Sequence, residues 1–128
     1  MSNNSHFLWL DSSDRKLWTQ GLDLLPLVKR DIYYNPDYIN LYARNTDKVN
    51  CYMFFHGDKI YVYPFIASPV PEINGYFDIS TAYGYGGPVS NSDDQTFLKE
   101  AYSCFIEESR KNKIIAELIK FHPLLKNH

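Results

Sequence analysis

The chain has 128 residues and a formal net charge of −2, with 45% hydrophobic and 22% charged residues. That suffices for one domain with its own core, because a domain of this size buries roughly two-thirds of its unfolded surface. The charge balance excludes a nucleic-acid binder held by a basic patch, and no apolar run approaches the roughly 20 residues that span a bilayer.

Aromatic residues are enriched to 16%, with 11 Tyr and 8 Phe. Such side chains suit half-buried sheets and binding clefts, and they favour a mixed α/β core over a helical bundle. Cys51 and Cys104 are the only cysteines. Two thiols make no disulfide framework, so both are expected in the core of a protein in a reducing compartment. The start, MSNNSHFLWLDSSD, lacks the basic-then-apolar order of a secretory signal. These features together imply a cytoplasmic location.

In chain order, residues 1 to 8 read as frayed and then apolar. A short helix is expected after Asp11 or Ser12, both good N-caps, ending at Gly21 with Leu17 and Trp18 facing inward. Residues 22 to 34 read as a connector broken by Pro26. In YYNPDYINLYAR, Asn35 caps a second helix, Pro36 takes its first position and Asp37 complements its dipole. Val49 to Phe55 and Ile60 to Ile66 read as a β-hairpin turned at His56-Gly57-Asp58. Pro64 implies an edge position or a bulge. Residues 68 to 75 read as a loop and 76 to 83 as a third strand.

The segment from Ser90 to Lys113 carries the strongest helical pattern. Ser92 and Gln95 are spaced as a capping box, and Phe97, Leu98, Ala101, Tyr102, Phe105 and Ile106 form one apolar stripe. Residues 114 to 121 read as a fourth strand, which allows the last strand–helix–strand unit to be parallel with a right-handed crossover. The expected fold class is α/β (α+β): a mixed, mostly antiparallel sheet flanked by helices, in one domain spanning 1–128.

Signatures of phosphate-binding loops, zinc proteases, redox CxxC pairs and nucleophile elbows are absent from the sequence. His6, His56, His122 and His128 are too scattered to suggest zinc, so no metal is expected. Two constellations remain. Tyr83, Gly84, Tyr85, Gly86, Gly87 and Pro88 read either as a sharp strand exit with tyrosines packed over glycines, or as bare backbone lining a ligand cleft. His122, within Phe121-His122-Pro123-Leu124, reads either as an exposed turn histidine or as an acid–base or substrate-orienting imidazole. Asp78 and Glu117 fall within expected strands, on a solvent face or in a cleft.

Three stretches in this order, DIYYNPDYINLYAR, YFDISTAYGYGGPVS and ELIKFHPLL, resemble the N-terminal half of a FemAB-type member of the GNAT N-acyltransferase superfamily. The matching positions are Asp31 with Pro36, Asp37 and Tyr38, then Tyr83 to Pro88, then Phe121 to Leu124, so the resemblance covers about residues 30 to 126. It implies a GNAT-like half domain on the acceptor side of an N-acyl or aminoacyl transferase acting on a cell-envelope sugar or peptidoglycan precursor. Substrate contacts are then expected at Tyr83, Gly84, Tyr85, Gly86, Gly87 and His122, with no catalytic base assigned. The donor, acyl-CoA or aminoacyl-tRNA, is expected on a second half that typical members carry after FHPLL. This chain, an excised domain or a natural half-protein, is thus expected to hold no cofactor and to be inactive alone. Its expected partners are that second half or a second copy of itself, with a small-molecule or cell-envelope ligand, no nucleic acid and no membrane span. The alternative is a non-catalytic GNAT-like module for binding or dimerisation.

Overall fold

The computed structural model describes residues 5–25, 36, 43, 46–71, 73–80 and 88–114. The expected helix in YYNPDYINLYAR and the expected strand 114 to 121 lie almost wholly outside them. Of the former, Pro36 is described as helical and fully buried.

The chain opens with an unexpected strand, β1 (Ser5–Asp11), in place of a frayed end. Phe7 and Trp9 point to one side of the sheet, Leu8 and Leu10 to the other. Both faces are covered, so the strand reads as a continuous apolar run without the polar alternation of a half-buried strand.

Asp11 ends β1 and begins the next element. Its carboxylate accepts from the Ser13 amide, and Asp14's carboxylate accepts from the Asp11 amide, closing a reciprocal cap on the 3-10 turn Ser12–Asp14. Helix α1 (Arg15–Leu22) follows directly. Trp18 is fully buried as expected, but Leu17 is 47% exposed. Adjacent helical residues point about 100° apart, and the contact stripe of so short a helix takes only one of the two. Gly21 lies inside the helix, which ends at Leu22. A Cβ at Gly21 would collide with Sδ and Cε of Met53, so the glycine permits close approach of helix to sheet.

β2 (Lys48–His56) and β3 (Lys59–Pro69) form the expected hairpin. His56 pairs with Lys59, leaving a two-residue loop of Gly57 and Asp58. Gly57 has φ +60°, a left-handed conformation that glycine adopts without a Cβ clash. The register runs unbroken from Lys48↔Ala67 to His56↔Lys59, so Pro64 sits opposite Cys51 with no bulge. Nor is β3 an edge strand. Its other side pairs with β4 (Phe77–Ser80) at Ile66 to Pro69 and with β5 (Val89–Ser90) at Tyr61 and Val62. Pro64 falls between these two pairings, where a missing N–H breaks no described ladder. Ser68 and Pro69 belong to β3, so the loop is shorter than expected and is closed by the Val70 amide donating to the Tyr76 carbonyl.

Helix α2 (Gln95–Lys111) is capped by Asp94, whose carboxylate accepts from the Thr96 and Phe97 amides. Ser92, the expected cap, instead accepts from the Asp94 amide. Phe97, Leu98, Ala101, Phe105 and Ser109 are buried, while Tyr102 and Ile106 lie at the margin of the stripe. The helix ends in a Schellman turn. Ile114 donates to the Ser109 carbonyl and Lys113 to that of Arg110, with Lys113 at φ +60°. The turn delivers Ile114 beside Phe77, where it forms an isolated parallel bridge.

Among the described residues the result is α+β: a mostly antiparallel five-stranded sheet, β1-β2-β3-β4 with β5 also on β3, with α1 and α2 on its two faces. Trp18 and Leu22 of α1 pack on the face formed by Leu10, Val49, Met53, Ile60, Val62 and Ile66. Phe97, Leu98, Ala101 and Phe105 of α2 pack on Tyr52, Phe54, Tyr61, Tyr63 and Phe65. Both cysteines are free. Cys51 lies in the first layer and Cys104 packs against the second, so the sheet separates them.

Candidate functional site

Tyr83, Gly84, Tyr85, Gly86, Gly87 and His122 lie outside the described residues, as do Glu117, Asp31, Asp37, Tyr38 and Phe121. The structure does describe where the glycine stretch is anchored. Ser80 stands opposite Ile66 and Val89 opposite Val62, so nine chain steps join points only four steps apart along β3. At about 3.4 Å per residue those points are roughly 14 Å apart along the strand.

The downstream anchor is tightly tied. Pro88 is buried, and the Ser90 hydroxyl donates to the Ile60 carbonyl at 2.7 Å. Asn91 accepts from the Ile60 amide and donates to the Asp58 carbonyl, holding this segment to the Gly57 turn. Upstream, Ile79 is buried on the α2 side, and half-buried Asp78 accepts from the Ile79 amide.

A cleft of about 810 Å³ opens at the far end of the sheet, where β1 ends, β2 begins, β3 ends and β4 begins. Trp9, Asp11, Asp47, Lys48, Phe77 and Asn112 line it. The Lys48 ammonium stands 4.5 Å from the centre of the Phe77 ring, a cation–π contact. The Ser13 hydroxyl and amide hold the Asp11 carboxyl below its ordinary range. Its described lining joins carboxylates, an ammonium and aromatic rings, groups that can bind and orient a polar ligand. Sequence reasoning missed it because its residues come from six separated stretches without motif spacing.

A second constellation joins β1, β2 and α2. The Ser5 hydroxyl donates to the Glu100 carboxylate at 3.2 Å and lies 2.8 Å from His56 Nδ1. One hydroxyl proton serves one acceptor, so with Glu100 accepting it His56 Nδ1 is the donor to Ser5 Oγ. Ser5 is also only 8% exposed. This order, imidazole to hydroxyl to carboxylate, fastens the start of β1 and is the reverse of what an activated nucleophile needs. His6 stacks on Phe55 at 4.6 Å. Among the described residues no group of three His, Cys, Asp or Glu side chains could hold a metal ion, and no helix is long and apolar enough to cross a membrane.

No protein-family model matches the chain, and comparisons with curated proteins and with solved structures found no match. Fold and geometry thus define a class, an α+β sheet with α1 on one face and α2 on the other.

Proposed function

We propose that the chain is the acceptor-side half of an N-acyl or aminoacyl transferase acting on a cell-envelope sugar or peptidoglycan precursor, with the donor bound by a second GNAT-like half. The reading starts from the ordered motifs that end in YGYGGP and FHPLL. The observation that carries it further is the parallel bridge between Phe77 and Ile114. At that bridge the chain heads the same way as β4. Tyr83 follows Ser80 by three residues and His122 follows Ile114 by eight. A common heading supports a common rim for the glycine stretch and the imidazole.

In this reading the bare amides of Gly84, Gly86 and Gly87 donate to substrate oxygens at a distance that a Cβ would prevent. Tyr85 stacks on the apolar face of a sugar ring, and His122 contacts the acceptor near its amine. The amine nitrogen attacks the donor's acyl carbon, the bond to the leaving thiol or tRNA hydroxyl breaks, and the amine proton passes to the departing group or to solvent. Positioning supplies most of the acceleration, without a covalent protein intermediate.

Amide NMR of the labelled chain titrated with a muropeptide tests this. Resonances of Gly84, Tyr85, Gly86, Gly87 and His122 are expected to shift together, and His122→Ala to weaken binding about tenfold, or about 1.4 kcal/mol. Unchanged spectra would overturn the reading, and so would shifts confined to the cleft around Trp9 and Phe77.

A further inference from the structure

The cleft at the end of the sheet carries chemistry that the transferase reading does not use. Strand register fixes its layout. Asp11 on β1 stands opposite Asn50 on β2, and Lys48 lies two residues away on β2, opposite Ala67 on β3. Residues two apart on a strand share a face, and so do residues directly opposite. Asp11, Asn50, Lys48 and Ala67 therefore stand on the α2 side of the sheet, together with Trp9 and Phe77. Asn112, at the end of α2, lines the same cleft.

Two opposite charges are held apart across this floor. Asp11 belongs to β1, whereas the Lys48 ammonium leans toward β4 and stands over the Phe77 ring. Diagonal cross-strand neighbours are about 7–8 Å apart and three strand spacings cover about 14 Å, so the carboxylate and the ammonium are roughly 7 to 14 Å apart. Both residues are exposed, whereas Asp47, also in the lining, is half-buried. The Ser13 amide and hydroxyl occupy two of the about four acceptor positions of the Asp11 carboxylate. Contact with the Phe77 ring positions the Lys48 ammonium without consuming all of its N–H donors. Asn50 donates to the Leu10 carbonyl and Asn112 to the Glu108 carbonyl. Each of these side chains also carries a carbonyl oxygen, an acceptor for peptide N–H groups.

We propose that the cleft binds a short free peptide as a zwitterion, its terminal ammonium on Asp11 and its terminal carboxylate on Lys48. An extended chain advances about 3.3–3.6 Å per residue, so two to four residues span the gap between the charges. An apolar side chain between the termini lies over Ala67, flanked by the rings of Trp9 and Phe77. The cleft volume of about 810 Å³ falls within the roughly 300–1,000 Å³ of small-ligand sites. A free amino acid, about 3.5 Å long, is too short to reach both charges. A neutral sugar uses the rings and the amides but satisfies neither charge.

The test titrates the full chain with glycyl-leucyl-glycine and follows amide NMR. The amides of Trp9, Lys48 and Phe77 are expected to shift, and binding to weaken as salt rises. Acetylating the peptide's N-terminus or amidating its C-terminus is expected to reduce affinity about tenfold each, and free leucine to bind at least about tenfold more weakly. Asp11→Asn removes the charge and keeps a good cap for the turn that follows. It is expected to cost about tenfold with the free peptide and almost nothing with the acetylated one. Lys48→Gln is expected to behave the same way toward the amidated peptide. That pairing of each variant with one blocked terminus is a pattern that a general loss of structure does not produce. The proposal is overturned by absence of binding, or by a doubly blocked peptide or a disaccharide that binds as well as the free peptide. Variant losses that are the same for free and blocked peptides overturn it too. These signals come from the cleft with a ligand that contains no sugar, whereas the transferase reading is tested at Gly84 to Gly87 and His122 with a muropeptide, so either can fail alone.

Discussion

The same three strands supply both faces of the sheet, yet the faces are built differently. Toward α1 they present Leu10, Val49, Met53, Ile60 and Val62; toward α2 they present Trp9, Tyr52, Phe54, Tyr61, Tyr63 and Phe65. Among the described elements the aliphatic face takes a helix of eight residues, set close to the sheet where Gly21 meets Met53. The aromatic face takes a helix of seventeen, and Phe105 at its centre touches four rings: Trp9, Tyr52, Tyr63 and Phe65. Aliphatic chains and methionine fill irregular space and tolerate repacking. Rings carry a directional preference, and the Phe105 contacts include both stacked and edge-on pairs. One face is specified by volume, the other by geometry as well.

The sharpest way to break this contrast is the same replacement on each face. Phe105 and Met53 are both fully buried. Phe105→Leu is expected to cost about 2–3 kcal/mol in denaturant unfolding, since it loses four ring pairs along with volume. Met53→Leu nearly conserves volume and is expected to cost less than about 1.5 kcal/mol. Equal costs would mean that ring geometry adds nothing to apolar burial.

A smaller effect separates two tyrosines within the aromatic face. The Tyr52 hydroxyl donates to the Ala101 carbonyl at 2.8 Å. The Tyr61 hydroxyl, also buried, has no hydrogen-bond partner among the described residues. Burial pushes both phenols far above the ordinary tyrosine range, so both stay protonated. Tyr52→Phe is expected to destabilise by about 1 kcal/mol, whereas Tyr61→Phe is expected to be neutral or stabilising by up to about 1 kcal/mol. Matching losses in the two variants would show that Tyr61 has a partner after all.

The smallest effect lies at the rim joining β3 to α2. The Lys59 ammonium hydrogen-bonds to Asp94 at 2.6 Å, and with the Phe97 and Thr96 amides it holds the Asp94 carboxyl below its ordinary value of 3.8. A depressed carboxyl stabilises the fold fully above the unfolded value, and that contribution disappears as pH falls through the folded one. Carboxyl NMR should place Asp94's midpoint below 3.8, and Lys59→Ala should move it back up. A midpoint at 3.8 or higher would remove the charge pair from this rim.

Signals local to a few residues were legible in advance. The Gly57 turn with the hairpin around it, the inward Trp18 and the stripe from Phe97 to Phe105 each follow from local composition, chain periodicity or backbone conformation. β1 was harder to read, because Phe-Leu-Trp-Leu carries no polar alternation once both faces are covered. Asp94 rather than Ser92 became the cap of α2. Two candidates stood two residues apart, and Lys59, far off in sequence, sits against the one that is used. The candidate site divides similarly. YGYGGP and FHPLL stood out by composition, whereas the cleft around Trp9 and Phe77 collects residues from six stretches and left no pattern to find.

From the sequence alone came the class of fold, its central hairpin, its long helix and the two motifs on which the functional proposal rests. Those features depend on side-chain period, capping chemistry and glycine conformation, all of which act over a few neighbouring residues. Only the tertiary structure decided that β3 is central despite Pro64, and that Gly21 serves contact with Met53. Each depends on which distant segment arrives alongside, and a linear string of residues does not record that distance.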